Sequence, residues 1–181
     1  MAGTRRGGHA EAGAGPGGPQ KSATGQNEPG GPGADHHWLA EAVELSRRCP
    51  PSESAFSVGA ILVGADGEVI ATGFSRERDP HDHAEEVALA KAASAGAARR
   101  LTVATLYSSL EPCAARASRP HPCAELIIAA GVRRVVIAWL EPPVFVKGGG
   151  ADRLRAAGVT VIELAELAAA ARAVNAHLIR D

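Results

Sequence analysis

From Phe56 onward the chain alternates short β-rich runs with helical stretches, and this alternation restricts it more than any other feature to a layered α/β architecture. Phe56-Ser-Val-Gly-Ala-Ile-Leu-Val63 and Val69-Ile-Ala-Thr-Gly73 flank Gly64-Ala-Asp-Gly67, whose Asp-Gly is a strong turn signal, so the two runs predict a β-hairpin. A polar loop over 75–81 follows, then a helix over 83–95 for which Asp82 is the expected N-cap, with Glu85 completing a capping box. The remainder reads as strand 104–108, helix 123–130, strand 134–139, helix 151–157, strand 160–163 and a final Ala-rich helix. Strands separated by helices run parallel, which predicts a partly parallel sheet.

Upstream, Trp38, Ala42 and Leu45 recur at helical spacing beside Leu39 and Val43, with Asp35 as the expected cap and Pro50-Pro51 as the stop. Residues 1–34 hold 11 of the 21 glycines and no Val, Ile, Leu, Phe, Trp or Tyr. Such a segment cannot bury enough apolar surface to offset its chain entropy, so a disordered tail over 1–34 and one folded domain over 35–181 are expected.

A net charge of -1 supplies no broad basic field, which disfavours nucleic acid as a partner. No apolar run exceeds six residues, against the roughly 20 that cross a bilayer, so no membrane span is expected. Arg5-Arg6 is followed by Gly, Ala, Pro and Glu rather than an apolar export core, and the chain reads as cytoplasmic. Three cysteines without a secretion signal argue against a disulfide framework and leave metal binding or burial to explain them.

The chemistry concentrates in His83-Ala84-Glu85 at a helix start, Glu111-Pro112-Cys113 after a strand and Pro122-Cys123 before the next helix. One imidazole and two thiolates make three ligands, the number a catalytic zinc takes while its fourth position stays open for water. The positive end of a helix dipole favours thiolate over thiol, so Cys123 is expected to be the more easily ionised cysteine. Glu85 lies about 200° around the helix from His83, yet at the first turn it can reach beside a metal held there and serve as proton shuttle. Cys49 precedes a helix end with no motif around it, and His36, His37 and His81 lack partners at ligand spacing, so all four read as structural or surface residues. Lys147-Gly148-Gly149-Gly150 before a helix is a flexible loop or a candidate anion cradle.

His-x-Glu followed by Pro-Cys and a second cysteine is the pattern of zinc nucleobase deaminases, whose glutamate is not a ligand. Here nine residues rather than two separate Cys113 from Cys123. With Ser109-Leu-Glu-Pro-Cys113, the stretch 122–136 and the stretch 152–161, the chain resembles the cytidine-deaminase-like superfamily. Within it, it is most similar to the pyrimidine deaminase of riboflavin biosynthesis, whose members carry a comparable insertion ending in Pro-Cys. The resemblance covers about residues 36–175 and implies a three-layer α/β/α fold with a mixed central sheet. It implies Zn2+ held by His83, Cys113 and Cys123, a proton-shuttling Glu85, and a homodimer or homotetramer. It also implies hydrolytic deamination of a small aminopyrimidine, the diaminopyrimidinone ribotide of riboflavin biosynthesis first.

The insertion departs from that family in beginning Cys113-Ala114-Ala115 rather than Cys-Ser-His. Arg119 falls where the family has a basic residue, with Arg116 and His121 as competitors; Arg116, Arg119 and the backbone at Ala60 are the expected substrate contacts. Ser54-Ala-Phe-Ser-Val-Gly-Ala60 looks like free cytidine deaminases, so a cytidine or deoxycytidylate type of substrate stays open. Two further readings are a zinc-stabilised binding protein without turnover, and a deaminase of bases within RNA using Arg116, Arg119, Arg133 and Arg134. No Gly-x-Gly-x-x-Gly follows a strand, so a nicotinamide-dependent reductase is not expected in this chain.

Overall fold

The computed structural model describes residues 30–142 and 149–179. The expected hairpin forms: β1 (Gly59–Val63) pairs antiparallel with β2 (Val69–Phe74), and Gly67 N donates to Gly64 O inside the turn. On its other side β1 pairs antiparallel with β3 (Thr105–Ser108), which runs parallel to β4 (Arg134–Ile137), itself parallel to β5 (Thr160–Glu163). The order β2-β1-β3-β4-β5 makes one mixed sheet. β1 is buried throughout and β3 and β4 are buried except at their first residues, the pattern of central strands covered on both faces, while β2 and β5 are partly exposed edges.

Helix α1 (Pro32–Ser46) packs on β1 and β3 and touches α5 (Ala168–Val174). α2 (Ala84–Ser94) packs on β2 and β1 and continues through α3 (Cys123–Ala129) to α4 (Gly150–Ala156) as the second helical layer. This is the expected three-layer α/β/α arrangement. Leu39, Leu62, Leu106, Ile127, Ile137 and Leu154 are fully buried between the layers. Among the described residues no helix is long and apolar enough to cross a membrane.

Three local expectations change. α1 begins at Pro32 rather than at Asp35, because proline suits the first helical position, where its missing N–H is no loss. Asp35 is buried in the first turn instead of capping it, accepting from Arg134 Nη1 at 2.8 Å and Nη2 at 2.6 Å and from the Tyr107 hydroxyl at 2.9 Å. The disordered tail expected over 1–34 falls mainly on residues 1–29, outside the described residues. The final helix is interrupted, with a 3-10 turn Ala165–Leu167 ahead of α5.

Two glycines set how closely the second helical layer approaches. A Cβ on Gly73 of β2 would sit 2.3 Å from Ala84 O, so only glycine lets the start of α2 rest on the hairpin. A Cβ on Gly150 would sit 1.6 Å from Pro112 O, so α4 begins against the segment that carries Cys113.

Candidate metal centre and active site

The C-terminal end of β3 and the starts of α2 and α3 meet at one place. α2 has His83 at its N-cap position, and α3 starts at Cys123 after Pro122. His83 Nδ1 lies 3.6 Å from Cys113 Sγ and 3.5 Å from Cys123 Sγ, and the three ligand atoms are within 4.8 Å of one another. Among the described residues this is the one His, Cys, Asp or Glu group placed to hold a metal.

The donor set fits zinc: one imidazole and two sulfurs are three ligands, the number a catalytic zinc takes, and His83 and Cys113 line a cavity of about 530 Å³ together with Glu85. The hydrogen bond between the two sulfurs, together with His83, lowers the Cys113 thiol, and the same bond and burial push the Cys123 thiol up. The first N–H of α3, Cys123 N, donates to Cys113 Sγ at 3.3 Å, so the helix terminus serves the other cysteine's sulfur. Burial works against protonation of His83, but its hydrogen bond and charge contact with Cys113 outweigh it and the net shift is upward. A divalent cation binds cysteine as thiolate, so metal binding here would displace the thiol proton the pair retains.

Glu85 is 3% exposed, and its Oε1 accepts from Ser108 Oγ at 2.9 Å. Burial pushes its carboxyl pKa up, as suits a group that must hold and release a proton. The predicted capping box does not form: Asp82 Oδ2 turns back to accept from the backbone N–H of Arg78 and Asp79, leaving Glu85 to the cavity.

The expected substrate contacts fare differently. Ala60 is fully buried in the middle of β1, between Gly73 and Ser108, and does not line the cavity. Arg116 does line it, but its side chain is only 4% exposed, with Nη2 2.7 Å from Glu86 Oε2 and Nη1 4.0 Å from Cys123 Sγ. Arg119 is held by Asp79 at 3.2 Å, Asp82 at 3.3 Å and Glu86 at 3.5 Å, outside the cavity lining. His121 is exposed and pairs with Glu125. The four arginines do not form one basic surface, since Arg134 is bound to Asp35 at the opposite end of the strands.

Two other carboxylates at the cavity, Glu111 and Glu141, were not among the expected site residues. Glu111 accepts from Glu141 N, Gly149 N and Ala151 N, so the start of α4 is already occupied by a carboxylate of the chain; Lys147 and Gly148 of the glycine run lie outside the described residues. The Glu141 carboxyl faces the cavity with Oε2 buried and unpartnered among the described residues, and burial raises it to about 8.

Residues 32–139 match the family model described as the cytidine and deoxycytidylate deaminase zinc-binding region. The diaminohydroxyphosphoribosylamino-pyrimidine deaminase of Schizosaccharomyces pombe is 40% identical over 126 residues, 70% of this chain and 31% of that protein. The riboflavin biosynthesis protein RibD of Escherichia coli is 34% identical over 129 residues, 70% of this chain and 33% of that one. The solved structure of Acinetobacter baumannii RibD superposes with a TM-score of 0.66 at 32% identity, covering 80% of this chain and 39% of that chain. The chain therefore spans about a third of the length of the curated relatives it matches.

Proposed function

Because the chain belongs to the cytidine and deoxycytidylate deaminase family defined by its zinc-binding region, we propose that it hydrolyses the amine from an aminopyrimidine, namely the diaminopyrimidinone ribotide of riboflavin biosynthesis. The relatives at 40% and 34% identity support that substrate over cytidine or deoxycytidylate. The observation that carries the chemistry is the convergence of His83, Cys113 and Cys123 at the wall of a cavity that also receives a buried carboxyl, Glu85, that is not in the ligand set.

His83, Cys113 and Cys123 would hold the zinc ion, which when bound activates water for attack on a ring carbon. Ser108 Oγ–H fixes Glu85 Oε1, so the carboxyl keeps one orientation towards the cavity. Burial raises the Glu85 carboxyl above its usual range, which favours its holding a proton. Its role is to pass on the two protons of the attacking water in turn, one to the ring nitrogen beside the amine-bearing carbon and one to the departing amine. The carbon first gains its bond to the water oxygen and then loses its bond to the amine, so that ammonia and the keto product leave.

The test is ammonia release by the zinc-loaded protein on the ribotide, cytidine, deoxycytidine, their monophosphates, cytosine and guanine. Selective turnover of the ribotide supports the reading. Turnover of cytidine or deoxycytidylate instead relocates the substrate, and stoichiometric zinc with no ammonia from any of them leaves a zinc-stabilised binding protein. Sedimentation of the same sample checks the homodimer or homotetramer that the family resemblance implies.

A further inference from the structure

One wall of the cavity comes from residues 50–57, a segment without regular structure that supplies Pro51, Ser52, Ser54, Ala55 and Phe56. A segment of this kind wanders unless something outside it fixes its backbone. Across from it, just past the end of β2, stands Arg76, which lines the same cavity and is the one non-glycine among the described residues with a left-handed backbone, at φ 61°. That conformation is uncommon for a residue with a Cβ and persists where surrounding structure demands it. Its own N–H donates to Asp82 O at 2.9 Å, so the strained residue also ties β2 to the residue before His83.

The Arg76 side chain is spent on the 50–57 segment. Nε and Nη2 donate to Pro50 O at 2.9 and 2.8 Å, Nη1 donates to Ala55 O at 3.3 Å and Phe56 O at 3.0 Å, and Nη2 donates to Ser57 Oγ at 2.9 Å. A guanidinium has five N–H donors, and these five bonds account for all of them. No donor is left for an anionic substrate group, although an arginine in a nucleotide-sized cavity invites that assignment. From the other side Asn175 holds Ser57 N and Ser57 O at 2.7 and 3.0 Å.

We infer that Arg76 is a positioning residue: it cross-links the two ends of the 50–57 segment and so holds one wall of the substrate cavity in its binding shape. This rests on the deaminase reading for its effect on KM and stands apart from it for its effect on the wall. A planar fork that reaches three carbonyls and a hydroxyl cannot be replaced by an ammonium, which is a single point with three donors.

The experiment uses zinc-loaded full-length protein and compares Arg76→Gly with Arg76→Lys. Glycine accepts φ 61° without strain, so Arg76→Gly removes the clamp while relieving the backbone. In both variants, amide exchange over 50–57 should speed up and zinc content should remain stoichiometric. If the wall then keeps its binding shape about a tenth of the time, KM for whichever pyrimidine the wild type deaminates rises about tenfold, with kcat falling less. Added guanidinium ion at tens of millimolar should lower the KM of Arg76→Gly and leave Arg76→Lys unmoved. Unchanged exchange over 50–57 in Arg76→Gly overturns the clamp, and so does a wild-type KM there, which would reduce Arg76 to a backbone filler. Should the wild type release no ammonia from any pyrimidine, the deaminase reading fails, while the exchange and zinc measurements still decide the clamp.

Discussion

Glu85, buried, and Glu141, half-buried, both face the cavity, and they differ in what holds them. Ser108 fixes Glu85, so Glu85→Gln should keep fold and zinc content while kcat falls by about 10²–10⁴, the span typical of a lost acid–base group; near-wild-type ammonia release in that variant would falsify its role. Glu141 lacks a partner for Oε2 among the described residues, and burial lifts its pKa from 4.5 to about 8. A carboxyl whose folded pKa is raised binds its proton more tightly when folded, so its contribution is complete below pH 4.5 and is lost as pH climbs through about 8. In EDTA-treated protein, melting curves of Glu141→Gln should therefore match wild type at low pH and exceed it increasingly up to pH 9; parallel curves would contradict the shift. The cluster able to hold a metal was legible in the sequence because few side chains bind zinc and two of its three members, His83 and Cys123, stand at visible helix starts. Whether Arg116 is free was not, because that depends on Glu86, 30 positions away.

At the scale of elements, periodicity and turn chemistry marked the hairpin and the three later strands to within three residues, the largest difference being β1, which starts at Gly59 rather than Phe56, since those signals are local. Helix starts were misplaced wherever an acidic side chain had a distant claim on it. Asp35 serves Arg134 from 99 positions away, and Asp82 turns to its own loop and to Arg119. Close approach was invisible for the same reason, as nothing local in the sequence marks Gly73 as the seat of α2. Gly73→Ala should cost about 1–3 kcal/mol through overpacking, and because the displaced atom is Ala84 O, next to His83, zinc should bind more weakly as well. A competition titration with a chromogenic chelator measures the second effect; unchanged affinity would mean that α2 can shift without moving its N-cap residue.

For the molecule as a whole, a zinc ion held by His83, Cys113 and Cys123 would cross-link the start of α2, the segment after β3 and the start of α3, adding to the packing of α2 on α3 and the Arg116–Glu86 pair that already join them. A ligand bound to the folded state alone stabilises it by RT ln(1 + [L]/Kd), about 4 kcal/mol at a thousandfold excess over Kd. EDTA should lower the melting temperature accordingly, and the loss should depend on free zinc in steps of the size that relation gives. A melting temperature indifferent to chelation would show that His83, Cys113 and Cys123 are not occupied in the folded protein.

The two cysteines stand ten positions apart, yet their sulfurs are within 4.8 Å of each other, with Ala115, Arg116, Ala117 and Ser118 between them on the cavity wall. The intervening nine residues form an excursion with both ends anchored, and lengthening such an excursion costs little, because closure entropy grows only with the logarithm of its length. Selection, or an engineer, can thus redraft that stretch to suit a different pyrimidine while the ligands on either side stay put. The insertion is the part of the cavity wall whose length can change while the cysteines that bracket it stay in place.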